Sequence, residues 1–113
     1  MDVLNAVNEW FQSQCDGDWE HDYGITIETL DNPGWSVEIY LYETELQDKP
    51  FEQIDEWHSD QDWILCKVEN YFFKGMGDPK KLERILSIFV QWQQSETLLS
   101  GLAGFRSKRR HFV

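Results

Sequence analysis

Basic side chains are scarce in this sequence. Ten Lys and Arg residues stand against 21 Asp and Glu residues, and the formal net charge at pH 7 is −11. A surface of this sign repels phosphate backbones and anionic lipid headgroups, so it disfavours nucleic acid or a membrane as the main partner. The charge is complementary instead to a cationic protein.

Cysteines are few, and long apolar runs are absent. Cys15 and Cys66 are the only two cysteines in 113 residues, which is too few for the disulfide framework of a small secreted domain. No apolar run approaches the roughly 20 residues that cross a bilayer. The first residues also lack the basic segment and apolar stretch of a secretory signal. We therefore expect reduced thiols and a cytoplasmic protein.

Aromatic residues, by contrast, are abundant. The chain holds six Trp, seven Phe and four Tyr, whereas a disordered acidic chain carries few aromatic residues. The length of the chain is that of one domain. We expect a single folded domain over residues 1–95, followed by a distinct C-terminal tail over residues 96–113.

Both ends of the expected domain show helical periodicity. Apolar side chains recur at spacings of three and four over residues 3–11, and they form a similar stripe over residues 82–92. Asp78 is placed as the N-cap of the second helix and Pro79 as its first helical residue, where no N–H donor is needed. This helix is expected to continue to about Gln94.

Strand patterns fill the region between the helices. Residues 23–30 and 35–42 alternate polar and apolar side chains on either side of a Pro-Gly turn, and residues 63–73 form a third strand that has room to turn back into a fourth. The charged segment 43–62 is expected to be a loop with a short helical turn or an edge strand. The whole pattern predicts an α+β fold, in which an antiparallel sheet of three to five strands carries the N-terminal and C-terminal helices on one face.

The acidic loop after the first helix is the place where catalysis or metal binding would be sought. Its carboxylates suit a hard cation, but the glycine and the bidentate glutamate of a calcium loop are not at the required spacings. Glu20 and His21 are adjacent, and adjacent side chains on a strand point to opposite faces. We therefore expect a turn with a charged surface, without a catalytic site, a metal or a cofactor.

Negative charge is concentrated in the middle of the chain. Residues 16–62 contain fifteen acidic side chains and one basic side chain, Lys49, which gives a local balance of −14. Trp19 and Trp57 lie among these acids, where each could be an interface anchor or a core residue. The candidate partner-binding residues are Asp16, Asp18, Trp19, Glu20, Glu43, Glu45, Asp55, Glu56, Trp57 and Asp60.

Several segments resemble the immunity protein 53 family of bacterial polymorphic toxin systems. The resemblance covers about residues 4–94 and also includes Gly24 and the apolar stripe of the second helix. Its most specific segments are 10–21 (WFQSQCDGDWEH), 29–35 (TLDNPGW), 63–68 (WILCKV) and 73–79 (FKGMGDP).

The resemblance implies a cytoplasmic protein that is encoded beside a toxin and binds it to protect the producing cell, without enzymatic activity. The acidity adds the expectation that the toxin is basic, as a nuclease domain would be. Two alternatives stay open. One is a structural or adaptor domain with no toxin partner, and the other is a small enzyme that uses the loop from Cys15 to Asp22.

The tail lies outside the family-like region. Four apolar residues, Leu98, Leu99, Leu102 and Phe105, permit a helix that is weakened by two glycines. A basic cluster follows, formed by Arg106, Lys108, Arg109 and Arg110. Because chain ends of this kind are often poorly ordered, we expect residues 107–113 to be dispensable for folding and for toxin neutralisation.

Overall fold

The computed structural model describes residues 2–95, in which three helices and five strands follow one another in the order α1, α2, β1–β5, α3. Their bounds are α1 Val3–Gln14, α2 Trp19–Asp22, β1 Ile25–Leu30, β2 Gly34–Tyr40, β3 Ile54–Ser59, β4 Asp62–Glu69, β5 Phe72–Gly77 and α3 Leu82–Gln94. The expected α+β fold is confirmed. The short helix α2 was not expected, because four residues are too few to show a helical period.

The five strands form one antiparallel sheet in the order β1-β2-β5-β4-β3. The last strand in sequence, β5, therefore lies at the centre and joins the β1–β2 hairpin to the β3–β4 hairpin. The edge-strand alternative for the charged segment 43–62 is confirmed by β3. The chain reaches this edge from β2 through a loop that crosses the end of the sheet.

One face of the sheet forms the core. Val37 and Ile39 of β2 are fully buried, and their partners on β5 are Gly75 and Phe73. Phe73 contacts Phe89 of α3, with ring centroids 5.3 Å apart. This is the face expected from the period of two, because alternate residues of one strand share a face.

The close approach of α3 to the sheet explains a glycine in the central strand. A Cβ atom at Gly75 would collide with the side chain of Ile85, a buried residue of α3. A residue without a side chain is needed where a helix lies this near to the backbone of a strand. Helix α1 packs on α3, and the ring centroids of Trp10 and Phe89 are 5.0 Å apart.

The start of α3 differs from the sequence prediction. Lys81 is the N-cap residue and the helix begins at Leu82, so Asp78 is not the N-cap and Pro79 is not the first helical residue. The carboxylate of Asp78 instead accepts hydrogen bonds from the backbone N–H groups of Trp63 (2.9 Å) and Lys80 (2.8 Å). Asp78 thus joins the start of β4 to the turn before α3, and the helix starts about one turn later than predicted.

The predicted tail, residues 96–113, and its basic cluster lie outside the described residues. The division of the chain at residue 95 stays a prediction.

Candidate partner-binding surface

The side of the sheet opposite the helices presents its side chains without a covering layer from residues 2–95. None of these side chains is buried. We call this surface the open face; the strand registers assign to it Thr26, Glu28, Leu30, Ser36, Glu38, Tyr40, Asp55, Trp57, Trp63, Leu65, Lys67, Glu69, Phe72, Lys74 and Met76.

Five aromatic rings gather at one end of the open face. Tyr23 stacks on Tyr40 at 4.0 Å between ring centroids, and Tyr40 lies 4.8 Å from its strand neighbour Phe72. Tyr42 and Tyr71 extend the group, with centroids 5.4 Å apart. We call these five residues the tyrosine cluster. Burial, together with the neighbouring Tyr23, raises the pKa of Tyr40, so its hydroxyl stays protonated at neutral pH.

Tyr71 occupies a backbone position that suits glycine. Asn70 and Tyr71 form the two-residue turn between β4 and β5, with φ values of 54° and 69°. Turns of this kind need positive φ at both central positions, and Asn-Gly is the favoured pair. A bulky residue in this conformation is strained. The turn is held in place because the carbonyl oxygen of Tyr71 accepts a hydrogen bond from the N–H of Leu41 at 2.7 Å.

The predicted residues of the α1–α2 loop hold the loop itself. The carboxylate of Glu20 accepts hydrogen bonds from the N–H groups of Asp16 (2.9 Å) and Gly17 (2.7 Å). Backbone hydrogen bonds, its own included, hold the pKa of Glu20 below its ordinary value. Asp16 in turn accepts from the N–H groups of Asp18 and Trp19, both at 3.0 Å. Short carboxylates next to glycine are the sequence signal for such a turn.

Trp19 is a core residue. Only 1% of its surface is exposed, and its indole Nε1 donates a hydrogen bond to the carbonyl oxygen of Tyr42 at 3.1 Å. Its ring also lies 6.0 Å from that of Trp10. The sequence left two alternatives for Trp19, an interface anchor and a core residue. The structure shows that it is a core residue, so it is not retained as a partner-binding candidate.

Glu43 and Glu45 are close in sequence but differ in environment. The carboxylate of Glu45 accepts hydrogen bonds from Trp10 Nε1 (2.7 Å) and from Nε2 of the buried Gln14 (3.0 Å), so it fastens the loop after β2 to helix α1. Glu43 is exposed and directly follows Tyr42 of the tyrosine cluster. Glu43 is therefore the more accessible carboxylate of this pair.

The remaining candidates lie on the edge strand β3 and its turn. Trp57 is 62% exposed, and its ring stacks on that of Trp63 of β4 with the centroids 5.9 Å apart. Asp55 shares its face, whereas Glu56 points to the helical side and forms an ion pair with Arg84 at 3.1 Å. Trp57 and Asp55 are therefore members of the open face, and Glu56 is not.

The ten predicted residues do not form one compact patch. Glu43 follows the end of β2, and Trp57 lies on β3, three strand positions away in the sheet order. Strands are about 4.8 Å apart, so this is a separation of roughly 14 Å across the sheet. The open face, with the tyrosine cluster at one end and the Trp57–Trp63 pair towards the opposite corner, connects the two groups. The period of the strands could have identified this face, but only the register shows which strands are neighbours.

The structure offers little support for a nucleophile or a metal site. Cys66 is buried, and this burial raises the pKa of its thiol to about 12, so the reactive thiolate is not formed at neutral pH. The exposed Cys15 donates its Sγ–H to the carbonyl oxygen of Phe11 at 3.4 Å. Within residues 2–95, no three His, Cys, Asp or Glu side chains are grouped so that they could hold a metal ion. In the same part of the chain no helix has the length and apolarity to cross a membrane.

These features define an acidic α+β domain in which residues 2–95 leave one partly aromatic face of the sheet uncovered. The chain belongs to the Immunity protein 53 family, whose sequence model matches residues 4–94. The resemblance and its extent are thus confirmed. Membership implies an immunity protein that acts against a toxin and suggests a non-enzymatic role. No curated protein and no solved structure matches the chain.

Proposed function

We propose that this protein neutralises a cognate toxin with a cationic surface, such as a nuclease domain, by forming a stoichiometric complex in the cytoplasm. Membership of the immunity family is the observation that carries the proposal. The protein would act by covering or distorting the toxin's active site, and it would need no chemistry of its own.

The distribution of charge supports a cationic partner. The segment 16–62 carries a balance of −14, and several cations of the described residues are engaged by carboxylates. Lys67 and Lys74 both lie 3.4 Å from Glu69, and Lys81 lies 2.8 Å from Asp62. The carboxylates are thus in large excess, and opposite potentials raise association rates by roughly 10- to 1,000-fold at low salt.

The substrate of a nuclease explains why its inhibitor would be acidic. A nuclease holds the phosphate backbone with Lys and Arg side chains. An acidic surface of fixed shape competes for the same cations and repels the nucleic acid. This argument favours a nuclease among the cationic toxins that an immunity protein could bind.

A titration of toxin activity tests the proposal. The product of the neighbouring toxin gene is co-purified with this protein, and its activity is measured against increasing amounts of the immunity protein. We expect a complex of defined mass and complete inhibition at a fixed stoichiometric ratio. Activity that persists in excess immunity protein would contradict the proposal and favour the adaptor alternative.

Inhibition at far less than stoichiometric amounts would indicate turnover instead. In that case Cys15→Ser decides whether the loop from Cys15 to Asp22 is catalytic, because the exposed thiol is lost while the loop's hydrogen bonds to Glu20 are retained.

A further inference from the structure

We propose that the toxin docks on the open face of the sheet, with the exposed ring of Tyr71, at the margin of the tyrosine cluster, as an anchor. This inference rests on the proposed function and names the surface through which it acts. The partner to which it commits is a cationic protein domain.

The backbone of Tyr71 is the first argument. Glycine would occupy the second position of this turn without strain, yet a tyrosine is held there at a φ of 69° with 47% of its surface exposed. Strained residues persist where the surrounding structure holds them and where they serve a function. The ring of Tyr71 contacts that of Tyr42, and nearly half of the residue's surface is available to a partner.

The rigidity of the cluster is the second argument. Tyr40 is packed between Tyr23 and Phe72, and these rings support the position of the more exposed ones. Tyrosine provides a large contact area with few rotatable bonds, and for this reason it is enriched at interface centres. Rings that are already ordered lose little entropy when a partner binds.

The charge around the cluster is the third argument, and it indicates that the partner is cationic. Asp22 directly precedes Tyr23, Glu43 directly follows Tyr42, and both carboxylates are exposed. Phe72 already has a cation of the protein beside it, because Lys74 Nζ lies 6.0 Å from its ring centroid and 3.4 Å from Glu69. Lys or Arg side chains are attracted to the faces of tyrosine rings and to neighbouring carboxylates. A cationic surface therefore gains both kinds of contact at the tyrosine rings of this end of the sheet.

The open face is large enough to form about half of one interface. Five strands at about 4.8 Å and six residues at about 3.3 Å give a surface of roughly 20 Å in each direction. This is a flat area of about 400 Å², half of the roughly 800 Å² that each partner contributes to a stable complex, so the surrounding loops would supply the rest. The stacked Trp57 and Trp63 then lie near the opposite margin, where they can provide a second contact.

The test compares variants by the binding kinetics of a catalytically inactive form of the neighbouring gene's toxin domain. Tyr71→Gly removes the ring and relieves the turn, so we expect an unchanged or higher melting temperature and a dissociation constant raised roughly tenfold or more. Tyr71→Phe keeps the ring and should retain most of the affinity. Leu4→Ala and Glu83→Gln, two exposed positions on the helices, are the matched controls and should bind as wild type.

The outcomes separate this inference from the proposed function. Wild-type protein that fails to bind the toxin overturns both. If Tyr71→Gly binds the toxin with wild-type affinity, the docking surface alone is overturned. The same holds if Tyr71→Gly melts well below wild type, because the ring would then serve to stabilise the fold. A homodimer that Tyr71→Gly dissociates assigns the open face to a second copy of the chain. If a chain that ends at Ser95 no longer binds the toxin, the contact belongs to residues 96–113. Either result, the homodimer or this loss of binding, overturns the proposal.

Discussion

Replacement of Asp78 by asparagine tests how the end of the sheet is joined to α3. The carboxylate is fully buried and accepts hydrogen bonds from Trp63 N, Lys80 N and Lys81 Nζ, the last at 2.6 Å. Asparagine has the same shape but no charge, so it imitates the protonated acid. The substitution therefore isolates what the charge of Asp78 contributes to the free energy of unfolding.

The magnitude follows from the pKa of Asp78. Burial alone would raise this pKa, but the hydrogen bonds from Lys81 and from the N–H groups of Lys80 and Trp63 outweigh burial and lower it from 3.8 to about 2. Each pKa unit corresponds to about 1.4 kcal/mol, so the ionised form stabilises the fold by about 2 kcal/mol more than the neutral form. We expect Asp78→Asn to lose about 2 kcal/mol and about 10 °C in Tm at neutral pH.

The same shift sets the pH dependence. Because the folded pKa of Asp78 lies below the unfolded value, its contribution is complete above about pH 4 and is lost as the pH falls towards 2. The gap in stability between wild type and Asp78→Asn should therefore close over this interval. It should not change between pH 5 and 7.

Urea denaturation of both proteins between pH 2.5 and 7 provides the measurement. Asp62→Asn is the control, because the Asp62 carboxylate also contacts Lys81 but is 55% exposed, and exposed ion pairs contribute little. A gap that stays constant down to pH 2.5 would refute the reasoning. So would an Asp62→Asn variant that is destabilised as much as Asp78→Asn.

Three further outcomes are expected. Gly75→Ala should destabilise the fold by about 1–3 kcal/mol, since its Cβ meets the side chain of Ile85, and an unchanged urea midpoint would contradict the packing of α3 on β5. Deleting residues 107–113 should leave thermal unfolding cooperative and neutralisation intact; loss of either shows that the basic cluster is needed. Trp57→Ala should speed dissociation of the toxin complex by a factor corresponding to roughly 1–2 kcal/mol, and a wild-type dissociation rate would remove Trp57 from the interface.

The parts of the fold that have a strong local period were predictable. The stripes of α1 and α3 and the alternation of β1 and β2 each lie within about a dozen residues, and the structure confirms all four elements. The central position of β5 was not predictable in this way, because it depends on pairing with β2 more than thirty residues earlier.

The site was less accessible to sequence reasoning than the fold. The sequence shows where carboxylates and tryptophans are concentrated, but it does not show which of them already have partners inside the protein. Glu45 accepts a hydrogen bond from Trp10, which is 35 positions away in the sequence. Trp19 lies in the core and belongs to a helix of only four residues. The tyrosine cluster was missed because its members come from three separate segments.

The carboxylates of the acidic segment therefore fall into two groups that salt should distinguish. Glu20 and Glu45 act through hydrogen bonds of 2.7–3.0 Å within the protein, and contacts this short are little affected by screening. Glu43 and Asp60 are exposed, and their attraction for a cationic toxin extends only over the Debye length, which falls from about 30 Å at 0.01 M salt to about 8 Å at 0.15 M.

Removal of the two groups should thus have separate consequences. We expect the paired change Glu43→Gln and Asp60→Asn to slow association at low salt and to flatten its salt dependence without altering the melting temperature. Glu45→Gln should lower the melting temperature, because Gln14 and Trp10 lose a charged acceptor, and it should leave the salt dependence of association close to wild type. Stopped-flow association at several salt concentrations, with thermal melts of each variant, measures both effects. If Glu45→Gln flattens the salt dependence as much as the paired change does, steering arises from the total charge of the protein and not from the exposed carboxylates.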